Sequence, residues 1–175
     1  MTTLFILAGG ASSRFGSSKP RHRYQDKALA SWVAQCALEA GLEPVLLVKD
    51  SSLSDLGWPL FLESSSEGHY PLRAMLEVLQ SLSEEESVLF CPCDLPFLKP
   101  SSLLSLASHP APCVAWDGAR LHPLLCQLST AQAPELEQWV QNQGSARGFL
   151  ANARRVRVSE AELRNINRPE DLVSV

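Results

Sequence analysis

The chain has 175 residues, of which 45% are hydrophobic and 19% charged, and its formal net charge is -4. This composition excludes a disordered chain, and the length fits one domain spanning residues 1–175. Proteins that bind nucleic acid through phosphates are usually basic, so the acidic balance favours a small-molecule ligand. No apolar run approaches the ~18 residues of a membrane span, and no basic segment precedes the short apolar run at 4–7. We therefore expect a cytoplasmic protein without a membrane segment.

Apolar runs of strand length alternate with segments of helical period along the chain. In chain order, the pattern predicts strand 4–7, helix 28–40, strand 45–48, strand 60–62, helix 71–79, strand 88–91, helix 101–107, strands 113–116 and 121–128, helices 134–140 and 146–151, strand 156–158 and a helical turn at 169–173. Asp117-Gly118, between two of these strands, is a hairpin signal.

This alternation predicts an α/β fold with a mostly parallel sheet, helices on both faces and a late antiparallel hairpin. The strands are continuous apolar runs, as expected when both faces of a sheet are covered. In such folds ligands bind at the carboxyl ends of the strands. The residues directly after each strand are therefore the candidate site residues.

The five cysteines indicate a reducing compartment rather than a disulfide framework. Their number is odd, and none forms a Cys-x-x-Cys pair. Cys91-Pro92-Cys93 could suggest a metal site, but zinc needs more ligands at suitable spacing. Two buried thiols at a strand end are the favoured interpretation.

The first strand is followed by a glycine-rich loop that also carries cations. Gly9, Gly10 and Gly16 allow backbone N–H groups to approach an anion, and Arg14 and Lys19 can neutralise phosphate charge. The spacing matches neither Walker A nor G-x-G-x-x-G. An ordinary glycine-rich turn is the alternative, but the two cations at this place favour phosphate binding.

Polar residues follow the predicted strand at 88–91 and stand near the C-terminus. Asp94 is a carboxylate of the kind that Mg²⁺ takes beside phosphate oxygens and waters, although it could also be a turn residue before Pro96. Asn167 can cap a short helix that begins near Pro169. That assignment leaves Asn165 without a structural explanation.

Four motifs in the same order resemble one family, the molybdenum cofactor guanylyltransferases, also called molybdopterin-guanine dinucleotide biosynthesis protein A. The motifs are Leu7-Ala8-Gly9-Gly10-x-x-x-Arg14-x-Gly16-x-x-Lys19, Phe90-Cys91-Pro92-Cys93-Asp94-x-Pro96, Asp117-Gly118-x-Arg120-x-His122-Pro123 and Asn165-x-Asn167-x-Pro169-Glu170-Asp171-Leu172. The resemblance implies a Rossmann-like nucleotidyltransferase fold. It also implies Mg²⁺-dependent transfer of GMP from GTP to molybdenum-molybdopterin, with proteins that deliver or accept the cofactor as candidate partners.

The resemblance also implies a role for each matching residue. Leu7, Ala8, Gly9, Gly10 and Gly16 would line the GTP site. Lys19 and Arg14 would hold phosphate, and Asp94 would bind Mg²⁺. Glu63 stands where the family has an acidic residue that contacts GTP. Asn165 and Asn167 would face the reacting phosphates, and residues 117–123 would lie on the acceptor side.

The chain departs from the family pattern at three places. Ser18 replaces an Asp before the lysine, Val48 replaces an Asn near the end of the second predicted strand, and Tyr70 and Arg73 replace small residues around a helix start. Two alternatives follow: a nucleotidyltransferase that uses CTP or another phosphorylated acceptor, and a non-catalytic module that binds a pterin cofactor. Retention of Lys19 and Asp94 speaks against the second.

Overall fold

The computed structural model describes residues 2–9, 19–64, 70–83 and 85–166. The strands within these ranges are β1 Thr3–Leu7, β2 Arg23–Tyr24, β3 Lys27–Ala28, β4 Glu43–Val48, β5 Leu60–Leu62, β6 Ser87–Pro92, β7 Cys113–Trp116, β8 Leu121–Ser129 and β9 Arg154–Arg157. The α-helices are α1 Leu29–Glu39, α2 Pro71–Ser81, α3 Pro100–Ala107, α4 Ala133–Gln141 and α5 Ala146–Phe149. Short 3-10 helices lie at Lys19–Arg21, Ser51–Leu56 and Thr130–Gln132.

Seven of the described strands form one sheet in the order β5-β4-β1-β6-β8-β7-β9. Strands β5, β4, β1 and β6 are parallel to one another, and β8 is antiparallel to both β6 and β7. Strand β9 is parallel to β7 at the far edge. The predicted α/β fold with a mostly parallel sheet and a late hairpin is therefore confirmed.

Helices cover both faces of this sheet and divide the core in two. On one face Leu4 and Ile6 pack with apolar residues of α1 and α3. On the other, Phe5, Leu47 and Phe90 pack with α2, α4 and α5. Consecutive residues of a strand thus belong to different halves of the core, because the two-residue period of a strand directs successive side chains to opposite faces. Complete burial of a residue such as Phe90 makes truncation to Ala cost about 3–5 kcal/mol.

The predicted helices begin and end near the residues that signal them. Pro71 occupies the first turn of α2 and Pro100 that of α3, where the missing N–H costs no intrahelical bond. Gly41 follows α1 with a φ of 71°, a left-handed conformation that glycine adopts without strain. The predicted turn at 169–173 lies outside the described residues.

The sequence reading missed the small hairpin formed by β2 and β3. Its turn residues, Gln25 and Asp26, have φ values of 45° and 64° although neither is a glycine. Tyr24 packs edge-on against Phe97 with ring centroids 5.5 Å apart. Trp32 Nε1 donates to the backbone carbonyl of Tyr24 over 2.9 Å. Strands of two residues are too short to give a periodic signal in the sequence. An isolated hairpin is also marginally stable in water, so this one depends on packing against the aromatic cluster.

All five cysteines are buried and unbridged. Burial raises the pKa of the Cys93 thiol to about 12, so the group stays a neutral thiol near pH 7. Within the described ranges no cluster of three or more His, Cys, Asp and Glu side chains could hold a metal ion. Cys91 and Cys93 are buried at the end of β6, which confirms the buried-thiol interpretation. Helices long and apolar enough to cross a membrane are likewise absent from the part of the chain that the structure describes.

Candidate active site

Four parallel strands end at one edge of the sheet and align the residues that follow them. The last residue of β1 pairs with Leu47 of β4 and with Pro92 of β6. Gly9, Lys49 and Asp94 each follow two residues after these paired positions, and Lys49 Cγ lies beside Gly9.

Glu63 extends this row by one strand. Val48 pairs with Leu62, and Glu63 N donates to Val48 O over 2.8 Å, so Glu63 is aligned with Lys49. We call the aligned set of Glu63, Lys49, Gly9 and Asp94 the edge row. Neighbouring strands lie about 4.8 Å apart, so the four strand ends that carry the edge row span about 14 Å of backbone.

The edge row lies along a cavity of about 300 Å³, which we call the first cavity. Its polar lining includes the edge row and Lys19, and its apolar lining includes Leu7, Tyr70, Pro71, Ala74 and Leu124. An apolar wall opposite a few convergent charged groups is typical of a small-molecule site. The cavity lies on the α2 face, where α2 supplies Pro71 and Ala74.

Gly9 keeps the centre of the edge row open. A Cβ placed on Gly9 would lie 2.5 Å from Glu63 Oε1 and 3.3 Å from Lys49 Cγ. Two charged side chains of opposite sign therefore approach the Cα of Gly9, and a side chain at position 9 would displace the end of Glu63. Gly9 allows this close approach and does not adopt a left-handed φ.

Asp94 accepts hydrogen bonds from three residues of the site. Its Oδ2 accepts from Lys19 Nζ over 2.5 Å and from Asn165 Nδ2 over 3.0 Å, and its carbonyl accepts from Ile166 N over 3.1 Å. The side chain is 9% exposed. Its other oxygen, Oδ1, is buried and has no hydrogen-bond partner among the residues that the structure describes. A buried carboxylate oxygen with unused lone pairs fits a ligand of Mg²⁺, which takes one or two carboxylates and completes its shell with phosphate and water.

The segment that carries Asn165 is held in place by a buried carboxylate. Glu162 is 7% exposed. Its Oε2 accepts from Lys99 N over 3.1 Å and from Ser102 Oγ over 2.6 Å, and its Oε1 accepts from Ser159 Oγ over 2.9 Å. A carboxylate at the N-terminus of α3 also complements the helix dipole. Glu162 thus ties residues 159–166 to α3 and fixes where Asn165 meets Asp94.

A second cavity lies beside Asn165. Its lining consists of Asp117, Arg120, His122, Glu160, Ala161, Leu163, Arg164 and Asn165. Both cavities therefore include a member of the hydrogen-bonded pair of Asp94 and Asn165, with Asp94 in the first and Asn165 in the second.

The turn between β7 and β8 builds one wall of the second cavity. Asp117 Oδ1 accepts from the backbone N–H groups of Ala119 and Arg120 over 2.8 and 2.7 Å, and its Oδ2 contacts His122 Nε2 over 2.8 Å. The hydrogen bond from His122, followed by those from Arg120 and Ala119, holds the pKa of the Asp117 carboxyl well below its usual range. An ionised carboxylate can only accept, so Nε2 of His122 carries the proton.

The structure brings most of the predicted site residues together. The first cavity is lined by Leu7, Ala8, Gly9, Lys19, Glu63 and Asp94. Asn165 contacts Asp94 directly. Four further predicted residues lie outside the described ranges: Gly10, Arg14, Gly16 and Asn167.

The sequence reading missed Lys49 and took its neighbour Val48 as the informative position. Val48 is 3% exposed and packs in the core, whereas Lys49 lines the first cavity. The sequence signal that could have identified Lys49 is its position directly after a buried strand. Of the other departures, Tyr70 lines the first cavity and donates its hydroxyl to Gly144 O, while Ser18 lies outside the described ranges.

A mostly parallel sheet whose carboxyl edge carries a glycine, a lysine and a carboxylate around one cavity defines a nucleotide-binding α/β enzyme. A model of the MobA-like NTP transferase domain matches residues 4–158. The chain belongs to this family and is a nucleotidyltransferase.

A named relative supports this assignment, and a solved structure shares the fold. The chain is 30% identical to the molybdenum cofactor guanylyltransferase of Serratia proteamaculans, with 97% of this chain and 91% of the relative covered. Its fold is similar to that of molybdopterin-guanine dinucleotide biosynthesis protein A from Archaeoglobus fulgidus, with a TM-score of 0.73, 20% identity and coverage of 98% and 95% of the two chains.

The structure of a differently named enzyme is about equally similar in fold. The 4-diphosphocytidyl-2C-methyl-D-erythritol synthase from Anaerococcus prevotii has a TM-score of 0.74 at 10% identity, with 98% and 94% of the two chains covered. The fold is therefore shared by differently named enzymes and does not by itself identify the substrates.

Proposed function

We propose that this enzyme transfers GMP from GTP to the terminal phosphate of molybdenum-molybdopterin, forming molybdopterin guanine dinucleotide and pyrophosphate. The observation that carries the proposal is the contact between Asp94 and Asn165, because each of these residues lines a different cavity. A transferase that joins two substrates needs one site for each and a shared point where they react. Similarity to named molybdenum cofactor guanylyltransferases supports this choice of substrates.

The first cavity is the proposed GTP site. The edge row crosses the ends of four strands, so a nucleotide can place its base near Glu63 and its phosphates near Asp94. The apolar side chains of Leu7, Tyr70 and Leu124 offer a wall for the base and ribose. Lys19, beside Asp94, supplies positive charge at the phosphate end.

Asp94 is the proposed protein ligand of Mg²⁺. The support is its buried, unpartnered Oδ1, together with phosphate oxygens that the nucleotide itself would bring. When bound, the ion would neutralise charge on the phosphates. Lys19 and Asn165 both donate to Oδ2 and so fix the orientation of the carboxylate.

The second cavity is the proposed acceptor site. Arg120 and Arg164 are exposed cationic side chains in its lining, and His122 Nε2 is held by Asp117. These groups can bind the anionic phosphate of the acceptor. One acceptor phosphate oxygen attacks the α-phosphorus of GTP, the bond from that phosphorus to the bridging oxygen breaks, and pyrophosphate leaves with the electron pair. The attacking oxygen is already anionic, so the reaction requires positioning and charge neutralisation rather than a strong base.

The direct test is pyrophosphate release by the purified chain with molybdenum-molybdopterin, Mg²⁺ and each of GTP, CTP and ATP. We expect release with GTP only, dependent on the acceptor, and a dinucleotide product detected by mass spectrometry. Equal or faster release with CTP would establish the cytidylyltransferase alternative. Binding of the pterin without release from any triphosphate would establish the non-catalytic alternative. Exchange with proteins that deliver or accept the cofactor stays a prediction, as does the cytoplasmic location.

A further inference from the structure

One edge of the sheet carries a concentration of positive charge in an otherwise acidic chain. Strand β9 lies at this edge among the strands that the structure describes, and three of its four residues are Arg154, Arg155 and Arg157. All three are exposed, whereas Val156 between them is buried. The whole chain has a formal net charge of -4, and β5 at the opposite edge contains no charged residue. The positive charge is therefore a local feature of β9.

The backbone of β9 bonds to β7 through alternate residues. Arg154 N donates to Pro112 O over 3.2 Å. In a parallel pair every second residue of a strand bonds to the same neighbour, so the backbone groups of Val156 also face β7. Those of Arg155 and Arg157 therefore point away from the sheet, and no described strand pairs with that side of β9. We call this outward side, with its three arginines, the β9 edge.

The side chain of Arg157 leaves the β9 edge open. Its guanidinium lies over the ring of Trp116, a residue of the inner strand β7, with 5.2 Å between the guanidinium carbon and the ring centroid. It also lies against Gly118, where a Cβ would collide with it. Trp116 and Gly118 thus hold the guanidinium over β7 and not over the outward backbone groups. Charged side chains that protect an edge from pairing do so by covering it, which Arg157 does not do.

The groups on the β9 edge match the backbone of an extended peptide. Arg155 and Arg157 each present one outward N–H donor and one outward C=O acceptor, which a strand added to the sheet can satisfy. The phosphates of a nucleic acid offer acceptors only, so they would leave both carbonyls without a partner. The arginines select for acidic side chains, because residues opposite one another on paired strands have Cβ atoms about 4.5–5.5 Å apart.

We propose that the β9 edge is a docking surface for an extended acidic segment of a partner protein, which adds to the sheet as a strand beside β9. The backbone of the segment pairs with Arg155 and Arg157. These two side chains lie on the same face of the sheet because they are two residues apart, so a Glu-x-Glu spacing in the segment matches them. Neither cavity includes a residue of β9, and the inference is therefore independent of the proposed function.

The experiment measures binding of short labelled probes to the full chain by fluorescence anisotropy. The acidic peptide alternates glutamate and valine, and its N-methylated form keeps every charge but has no backbone N–H to donate. A peptide that alternates lysine and valine and a single-stranded oligothymidylate complete the set. Wild type should bind the acidic peptide about tenfold or more tightly than its N-methylated form, because backbone hydrogen bonds are lost. It should not bind the lysine peptide, and added salt should weaken binding of the acidic peptide.

Two substitutions at position 155 separate charge from backbone pairing. Arg155→Gln removes the charge alone and should weaken binding of the acidic peptide by about two- to fivefold, the range of a cross-strand pair. Arg155→Pro also removes the outward N–H and should weaken it by about a further tenfold. A proline is tolerated there because the lost N–H does not face β7. Arg23→Gln is the matched control, since Arg23 is an exposed arginine of the separate two-stranded sheet, and it should bind the peptide as wild type does.

Each contrary outcome has a definite meaning. Equal binding of the acidic peptide and its N-methylated form by wild type, which does not depend on how any variant folds, shows charge attraction without strand addition. Tighter binding of oligothymidylate than of the acidic peptide shows a nucleic-acid surface. An equal loss in Arg23→Gln shows a response to net charge and not to the β9 edge. No binding of the acidic peptide shows that the arginines only protect the edge from pairing. Any of these results overturns the proposed docking surface.

Discussion

Asn165 Nδ2 donates to Asp94 Oδ2 over 3.0 Å and so joins two residues that are 71 positions apart in the chain. Ile166 N reinforces the contact by donating to the Asp94 carbonyl over 3.1 Å. The end of β6 and the C-terminal segment are thereby closed around one carboxylate. Because Lys19 also donates to Oδ2, the orientation of this carboxylate is fixed from two sides while Oδ1 keeps its lone pairs.

The first prediction concerns the charge of Asp94. Asp94→Asn should retain the fold, because the amide oxygen can still accept from Lys19 and Asn165. Nucleotide transfer should fall by about a thousandfold, since a neutral amide is a much poorer ligand for Mg²⁺ than a carboxylate. The check is the rate of pyrophosphate release, with the far-UV spectrum and thermal midpoint as controls for folding. Turnover at the wild-type rate would show that Asp94 is not the metal ligand.

The second prediction concerns Lys19. Lys19→Ala should weaken GTP binding by about ten- to a hundredfold and leave guanosine binding unchanged, because the ammonium is placed at the phosphate end of the first cavity. Arg21→Ala is the matched control. Arg21 lies in the same short helix but pairs with Asp55 at 2.6 Å, and both side chains are exposed. Calorimetry of both ligands decides, and equal losses for GTP and guanosine in Lys19→Ala would contradict the role.

The sheet and the row along its edge were predictable from the sequence because they depend on local signals. Continuous apolar runs located the parallel strands, and Gly9, Glu63 and Asp94 each come directly or almost directly after one of them. Parallel strands bring their carboxyl ends to one edge, so linear positions far apart were correctly placed around one cavity. The same rule also identifies Lys49, which directly follows β4. The comparison with the family's Asn drew attention to position 48 instead.

Contacts that depend on tertiary packing were not predictable. Nothing in the residues around Glu162 shows that its carboxylate is buried against Ser102 and the start of α3, 60 positions earlier in the chain. The β2–β3 hairpin likewise depends on Tyr24 reaching Phe97 and has no glycine at its turn. Short-range propensity carries no information about such pairs, which form only when the elements meet.

The third prediction concerns Glu162 as the anchor of the C-terminal segment. Glu162→Ala leaves Lys99 N, Ser102 Oγ and Ser159 Oγ without their acceptor, and we expect the free energy of unfolding to fall by about 3 kcal/mol. Transfer activity should also fall at temperatures where the variant is folded, because Asn165 would lose its fixed position. Glu160→Ala, an exposed carboxylate two residues away, should change stability by about 0.5 kcal/mol or less. Equal stability of the two variants would refute the anchoring role.

The last prediction concerns the pH dependence that Asp117 imposes. Its pKa is lowered in the folded protein, first by the hydrogen bond from His122 and then by those from Arg120 and Ala119, so folding favours the ionised carboxylate. The resulting stabilisation is complete above the ordinary Asp pKa of about 3.9 and is lost as the pH falls below it towards the folded value. Asp117→Asn should therefore be less stable than wild type at pH 7, and the difference should shrink between pH 5 and pH 3. Urea unfolding of both proteins at each pH measures it, and the lowered pKa values of Asp50 and Asp55 cancel because both proteins retain these residues. A difference that stays constant over this range would mean that the ionised state of Asp117 contributes nothing to the stability of the turn.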